Sequence, residues 1–267
     1  MHFWNTVETI DRSAVSGFNH YDAEHVIWLA MFVCFALVCS ILYVKVGPCS
    51  LCKTGHHPEG CHGPYCRKHM RALFALVLIL EEIFKYILVA MNHIPFYEYA
   101  PLQLCYLSLL LVIVHAFMND ESRAYHYVGN FLYLVGLPAG LSALLFPSWT
   151  ALPAFANGMS IHCFSSHILF VTYIIMLVAA GDIRPDFRTV PASVLGLFIM
   201  AAGVYIYDIC TGCNFMFLIR LSAGSPLAPF EALGDYRIGY IVILAALVIV
   251  MYGVPGIIRR SGPGTSV

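Results

Sequence analysis

The stretch GPCSLCKTGHHPEGCHGPYCRKH sets Cys49, Cys52, Cys61 and Cys66 among His56, His57, His62 and His69. A C-x2-C pair followed by two further thiols is metal-ligand spacing. The tight turn of C-x2-C lets two thiolates share one ion, and zinc takes four such ligands tetrahedrally. The expectation is therefore a structural zinc held by Cys49, Cys52, Cys61 and Cys66, with His62 able to replace one of them. Four protein ligands leave no open position, so such an ion would order the loop rather than perform chemistry. The reading depends on compartment. On a reducing side the thiolates bind metal, whereas on an oxidising side the same residues form disulfides. A flexible loop with incidental thiols is the plain alternative.

A second group of polar residues stands inside otherwise apolar runs. LVLILEEIFKYILVA places Glu81 and Lys85 at i, i+4 and Glu82 and Lys85 at i, i+3. Both spacings bring side chains together on a helix face. Ionisable groups inside a bilayer are expensive, so they mark either a self-neutralising pair or the lining of a bundle cavity. Gln103, Cys105, Ser165, Ser166, His167, Asp208, Asn214 and His25 each fall near one end of an apolar run. At about 1.5 Å of rise per residue, all sit within roughly 10 Å of the same boundary. Gln103, Cys105, His167, Asp208 and Asn214 are expected to face one cavity between the third, fifth and sixth runs. An unpaired polar group turned toward hydrocarbon costs roughly 2–7 kcal/mol. Cys105 as nucleophile and His167 as general base would give this site covalent chemistry. Gln103, Asp208, Asn214 and His25 are the candidate substrate contacts.

The elements that carry these residues are membrane helices. Of the 267 residues, 60% are hydrophobic and only 11% are charged. A soluble domain carries about 25% charge, so too few charges remain to coat a globular surface. Mean hydropathy is +0.78. A net charge of −1 without a basic stripe argues against nucleic-acid binding. The mixed N-terminal segment lacks a basic n-region and an A-x-A site, so no cleaved signal peptide is expected. Seven runs suit a crossing of about 20 residues: 26–46, 72–92, 101–118, 127–146, 162–181, 191–212 and 237–257. The fold class expected is an all-α polytopic membrane bundle of seven transmembrane helices.

Loop charges give the direction. Lys45, Lys53, Arg67, Lys68, Arg71, Arg123, Arg184, Arg188, Arg259 and Arg260 fall on one side, and Arg12, Arg220 and Arg237 on the other. Positive residues favour the cytoplasm. Residues 1–25 are thus expected outside, the seven-helix domain over 26–257, the Cys/His loop 47–70 in the cytoplasm, and the tail 258–267 inside.

Four stretches together resemble the YwaF-like integral membrane family, which is related to transmembrane protein 164. They are EHVIWLAMF at 24–32, APLQLCYLSLLL at 100–111, GNFLYLVGLPAGLSALLFP at 129–147, and SSHILFVTYIIML with TGCNFMFL at 165–177 and 211–218. The Cys/His loop looks like an addition to that pattern. The resemblance implies a polytopic helical protein of a bacterial plasma membrane. It also implies kinship with a eukaryotic branch that includes a cysteine-dependent phospholipid acyltransferase. The bacterial motif is similar to P-L-H-L-C, and here it reads Pro101-Leu102-Gln103-Leu104-Cys105. The cysteine matches, and Gln103 stands where the histidine would be. The acyltransferase branch has P-C-H, which puts its nucleophile at Leu102 and its histidine at Gln103. His167, His25 and Asn214 match the family's histidines and asparagine.

Three functions are compatible with these residues. One is a lipid-modifying acyltransferase or hydrolase with a polar site in the outer leaflet. Another is a non-catalytic scaffold or lipid-binding protein whose zinc loop meets a protein partner. The third is a small-molecule transporter coupled through Glu81, Glu82 and Lys85, and the lack of an inverted repeat in the sequence counts against it. Membrane lipids are the expected partners in each case.

Overall fold

The computed structural model describes residues 3–6, 9, 17–45, 67–147, 155–221 and 227–253. Cys49, Cys52, Cys61 and Cys66 lie outside the described residues, as does the tail 258–267, so the zinc expectation falls there too. Among the described residues there is helix and no strand.

The chain divides into two units, Met1–Arg184 and Pro185–Val267. The first unit contains α1 (Ala23–Lys45), α2 (Arg67–Met91), α3 (Leu104–Phe117), α4 (Arg123–Phe131), α5 (Leu137–Leu145) and α6 (Gly158–Ala179). A π turn over Leu132–Gly136 joins α4 to α5 in one rod. Among the described residues, four helical stretches are long and apolar enough to cross a membrane: Ala23–Lys45, Arg123–Leu145, Gly158–Ala179 and Phe187–Thr211.

The α2 helix has the length for a crossing, but its charges keep it out of that group. Its pattern is inside-out. Leu73, Leu76, Leu80, Ile83 and Ile87 recur at three- and four-residue spacing on the exposed face. Arg71 and Lys85 are buried with Phe74, Ala75, Leu78, Leu88 and Val89. An apolar exterior with Arg71 and Lys85 turned inward suits lipid as the solvent. The α3 helix has 14 residues, about 21 Å of rise against roughly 30 Å of hydrocarbon. Gln103 precedes it in extended conformation.

The α6 helix is the hub, packing on α1, α2, α3 and α5. Its start is fixed by Asn157, whose side chain accepts from the Met159 and Ser160 amides at 2.9 and 3.4 Å. Trp28 of α1 stacks on Phe164 of α6 with ring centroids 4.9 Å apart.

Polar contacts fix the helix directions. At one end, Arg67 at the start of α2 pairs with Asp182 just beyond α6 at 2.6 Å. Tyr43 near the end of α1 donates to the same carboxylate at 2.6 Å. Arg71 donates to Tyr125 of α4 at 2.6 Å, and His115 of α3 meets the Tyr173 hydroxyl of α6 at 2.8 Å. At the opposite end, the His25 ring ties the start of α1 to α5: it accepts from the Tyr21 amide at 2.9 Å and donates to the Leu144 carbonyl at 2.7 Å. So α1, α3 and α6 run one way, and α2 and α4–α5 run the other.

Of the described glycines in this unit, Gly140 is the most closely approached. A Cβ there would fall 2.3 Å from Val171 Cγ2 and 2.4 Å from Phe170 Cζ. Small residues at such crossings let membrane helices approach, and Gly136 and Gly140 have the four-residue spacing that does so. Gly140→Ala is expected to destabilise the protein by about 1–3 kcal/mol through overpacking, outweighing the gain of about 1 kcal/mol in helix propensity. Thermal unfolding in detergent checks this. Gly203→Ala is the control, because nothing lies within 4 Å of its Cβ position.

The second unit contains α7 (Val190–Thr211) and α8 (Ile238–Val248), the latter extended by a π turn over Ile249–Gly253. Gly212 ends α7 at φ +76°, and its amide donates to the Asp208 carbonyl at 2.8 Å. Asn214 stitches the following turn: its side chain accepts from the Ile219 and Arg220 amides and donates to the Arg220 carbonyl. Tyr240 of α8 donates to the Met216 carbonyl at 2.7 Å.

Candidate active site

Three helices of the first unit bring chemically competent side chains to one depth. Glu81, Glu82 and Lys85 come from the second half of α2, Cys105 and Tyr106 from the first turn of α3, and His162, Cys163 and Ser165 from the first turns of α6. The antiparallel course of α2 against α3 and α6 places these positions at the same end.

The carboxylates divide their roles. Lys85, only 1% exposed, pairs with Glu82 Oε2 at 2.5 Å. Its ammonium also lies 4.2 Å from the Tyr106 ring centroid and 4.6 Å from that of Tyr86. Glu81 turns to α6, where Oε2 lies 3.2 Å from His162 Nδ1 and Oε1 accepts from Ser165 Oγ at 2.9 Å. Of the two spacings in the sequence, the i, i+3 pair forms the salt bridge, and Glu81 is left for a histidine on another helix.

These partners assign the His162 tautomer. A carboxylate only accepts, so Nδ1 carries the hydrogen and Nε2 is left as an acceptor. The Tyr106 hydroxyl lies 3.4 Å from Nε2 and 3.9 Å from Cys163 Sγ. Glu82 Oε1 lies 3.8 Å from the same Nε2 and has no hydrogen-bond partner among the described residues. A carboxylate that orients one imidazole nitrogen while the other faces a hydroxyl, itself within reach of the Cys163 thiol, is the arrangement of a general base with its orienting group.

The residues singled out in the sequence are carried by different elements. Cys105 belongs to the cluster, within electrostatic range of Lys85, Glu82 and Cys163. His167 lies one turn further along α6, where Nδ1 donates to the Cys163 carbonyl at 2.5 Å and the ring stands edge-on to Tyr106 with centroids 6.1 Å apart. Gln103 adjoins the cluster in sequence at the head of α3. His25 has both ring nitrogens engaged by backbone groups and acts as a clip between α1 and α5. Asp208 and Asn214 belong to the second unit. There Asp208 Oδ1 accepts from the Phe215 amide at 3.0 Å, and Asn214 closes its turn.

Tyr106, His162 and Cys163 were not among the sequence candidates. The available signal was His162 and Ser165 at i, i+3, which places a ring and a hydroxyl on one face of α6. Among the described residues, no group of three or more His, Cys, Asp or Glu side chains could hold a metal ion.

A family model described as the TMEM164 family matches residues 20–254. No curated protein and no solved structure gives a significant match.

Proposed function

This chain belongs to the TMEM164 family, and from that premise we propose that it is an integral membrane enzyme moving the acyl group of a lipid ester to a lysolipid or to water through a cysteine thiol. The observation that carries the reading is the chain Glu81–His162–Tyr106 beside the thiols of Cys105 and Cys163. Leu102 and Gln103 stand where the acyltransferase branch has its nucleophile and histidine, so a base has to come from another helix. His162 on α6 meets that need. A thiolate is costly in apolar surroundings, and the Lys85 ammonium offers it compensating charge.

His162 takes the thiol proton, and the sulfur attacks the ester carbonyl carbon. The ester C–O bond then breaks. The lysolipid alcohol leaves with that proton, and the acyl group remains as a thioester. A second alcohol, or water, cleaves the thioester as His162 accepts its proton, and the thiol is restored. Apolar outer faces such as that of α2 let an acyl chain approach from the lipid side.

The test uses full-length protein in vesicles holding a phospholipid with a labelled acyl chain and an unlabelled lysolipid. Wild type should move label to the lysolipid or release it as free acid, and the Cys105→Ala/Cys163→Ala double variant should do neither. Wild type that moves no label, or a double variant that matches it, overturns the reading.

We also propose seven crossings with the N-terminus outside and the 47–70 loop in the cytoplasm, where the four loop thiols are available to zinc. A membrane-impermeant maleimide applied to intact cells should leave Cys61 unlabelled. Labelling from outside would remove this topology and the zinc reading together.

A further inference from the structure

Two thiols adjoin the cluster, and their connections differ. Cys163 follows His162 directly on α6, so their side chains point about 100° apart and do not face each other. Tyr106 closes that gap from α3. Its hydroxyl lies 3.9 Å from Cys163 Sγ and 3.4 Å from His162 Nε2, and Glu81 holds Nδ1 at 3.2 Å. The ring of Tyr106 lies under the Lys85 ammonium at 4.2 Å. We infer that Cys163 is the reacting thiol and that Tyr106 carries its proton to His162. The inference rests on the thiol-dependent acyl transfer proposed above.

The proton path is a two-step hop. Tyr106 gives its hydroxyl hydrogen to Nε2, and the Cys163 S–H hydrogen moves to the phenol oxygen. The phenol is regenerated, and one proton has crossed from sulfur to imidazole. The nearby cation favours the phenolate character that develops during the hop. The protonated ring then finds a waiting acceptor, because Glu82 Oε1 lies 3.8 Å from Nε2 and has no other hydrogen-bond partner among the described residues. The thiolate attacks the ester carbonyl, and the leaving alkoxide recovers the proton along the same path. Cys105 lacks such a chain. It lies within electrostatic range of Lys85 and Glu82, and no hydroxyl links it to His162 among the contacts described.

Tyr106 is a relay in this scheme, so removal of its hydroxyl should change how the rate depends on pH. Tyr106→Phe keeps the ring beneath Lys85. It is expected to lower the acyl-transfer rate roughly a hundredfold near neutral pH and to move the rising limb of the pH profile toward alkaline pH. A merely structural tyrosine would leave the profile in place.

The deciding experiment is mass spectrometry of full-length protein, quenched after brief exposure to vesicles of a phospholipid with an alkyne-tagged acyl chain. A hydroxylamine-sensitive acyl group should map to the peptide carrying Cys163, disappear in Cys163→Ala and persist in Cys105→Ala. An acyl group on Cys105 that persists in Cys163→Ala overturns the assignment and leaves thiol-dependent transfer standing. Absence of any acyl group from wild type that also moves no label overturns the reading beneath it.

Discussion

Lys85→Met should be the most damaging single substitution in the first unit, costing about 3–5 kcal/mol. Lys85 is 1% exposed and pairs with Glu82 at 2.5 Å. Its removal leaves a carboxylate in apolar surroundings with neither of its oxygens satisfied, since Glu82 Oε1 already lacks a hydrogen-bond partner among the described residues. Methionine has similar length, so the packing stem is retained and the loss is chiefly electrostatic. The apparent melting temperature in detergent should fall by roughly 10 °C. The Glu82→Gln/Lys85→Met double variant should recover most of that loss, because the uncompensated charge is gone. A single variant as stable as wild type would mean that the pair is wet and contributes little, as exposed pairs do.

His162→Gln should abolish activity while sparing the fold. A glutamine amide can still donate to Glu81, so the contact between α2 and α6 survives. It cannot accept a proton from a phenol or a thiol at neutral pH. General-base removal costs roughly a hundred- to ten-thousandfold in rate, and the labelled-lipid assay should show a loss in that range. Size-exclusion behaviour and thermal unfolding should stay close to wild type. A loss of only a few fold would assign His162 to packing and leave the catalytic base elsewhere on α6, with His167 next.

The membrane character of this chain and the general course of its helices were legible in composition and run length, because hydrocarbon imposes both. The pairing of Lys85 with α2 carboxylates was legible as well, since three- and four-residue spacings are local. The choice between Glu81 and Glu82 was not, because it depends on how α2 is rotated against α6. His162 is obscured for a related reason. The fifth apolar run, 162–181, makes His162 a boundary residue, whereas the Asn157 cap starts the helix at Gly158 and puts His162 a full turn inside. Tyr106 read as an apolar ring at the head of α3, and its hydroxyl acquires a role only through contacts made across helices. The π turn at Leu132–Gly136 has no composition of its own. Gly136, Pro138 and Gly140 were its nearest trace in the sequence. The depth argument sets Cys105 and His167 at one level of the sequence runs, but depth alone carries no information on which helices adjoin.

The central claim is that His162, held by Glu81, activates a thiol of this cluster. The rate of alkylation by a membrane-permeant maleimide tests that without any lipid substrate. The modified residue is identified by peptide mass spectrometry, and the rate is followed across pH in wild type and His162→Gln. A base-assisted thiol should react at least about tenfold faster near neutral pH in wild type than in the variant. The variant should approach the wild-type rate only at alkaline pH. Equal rates at every pH, with both proteins folded, would contradict the claim.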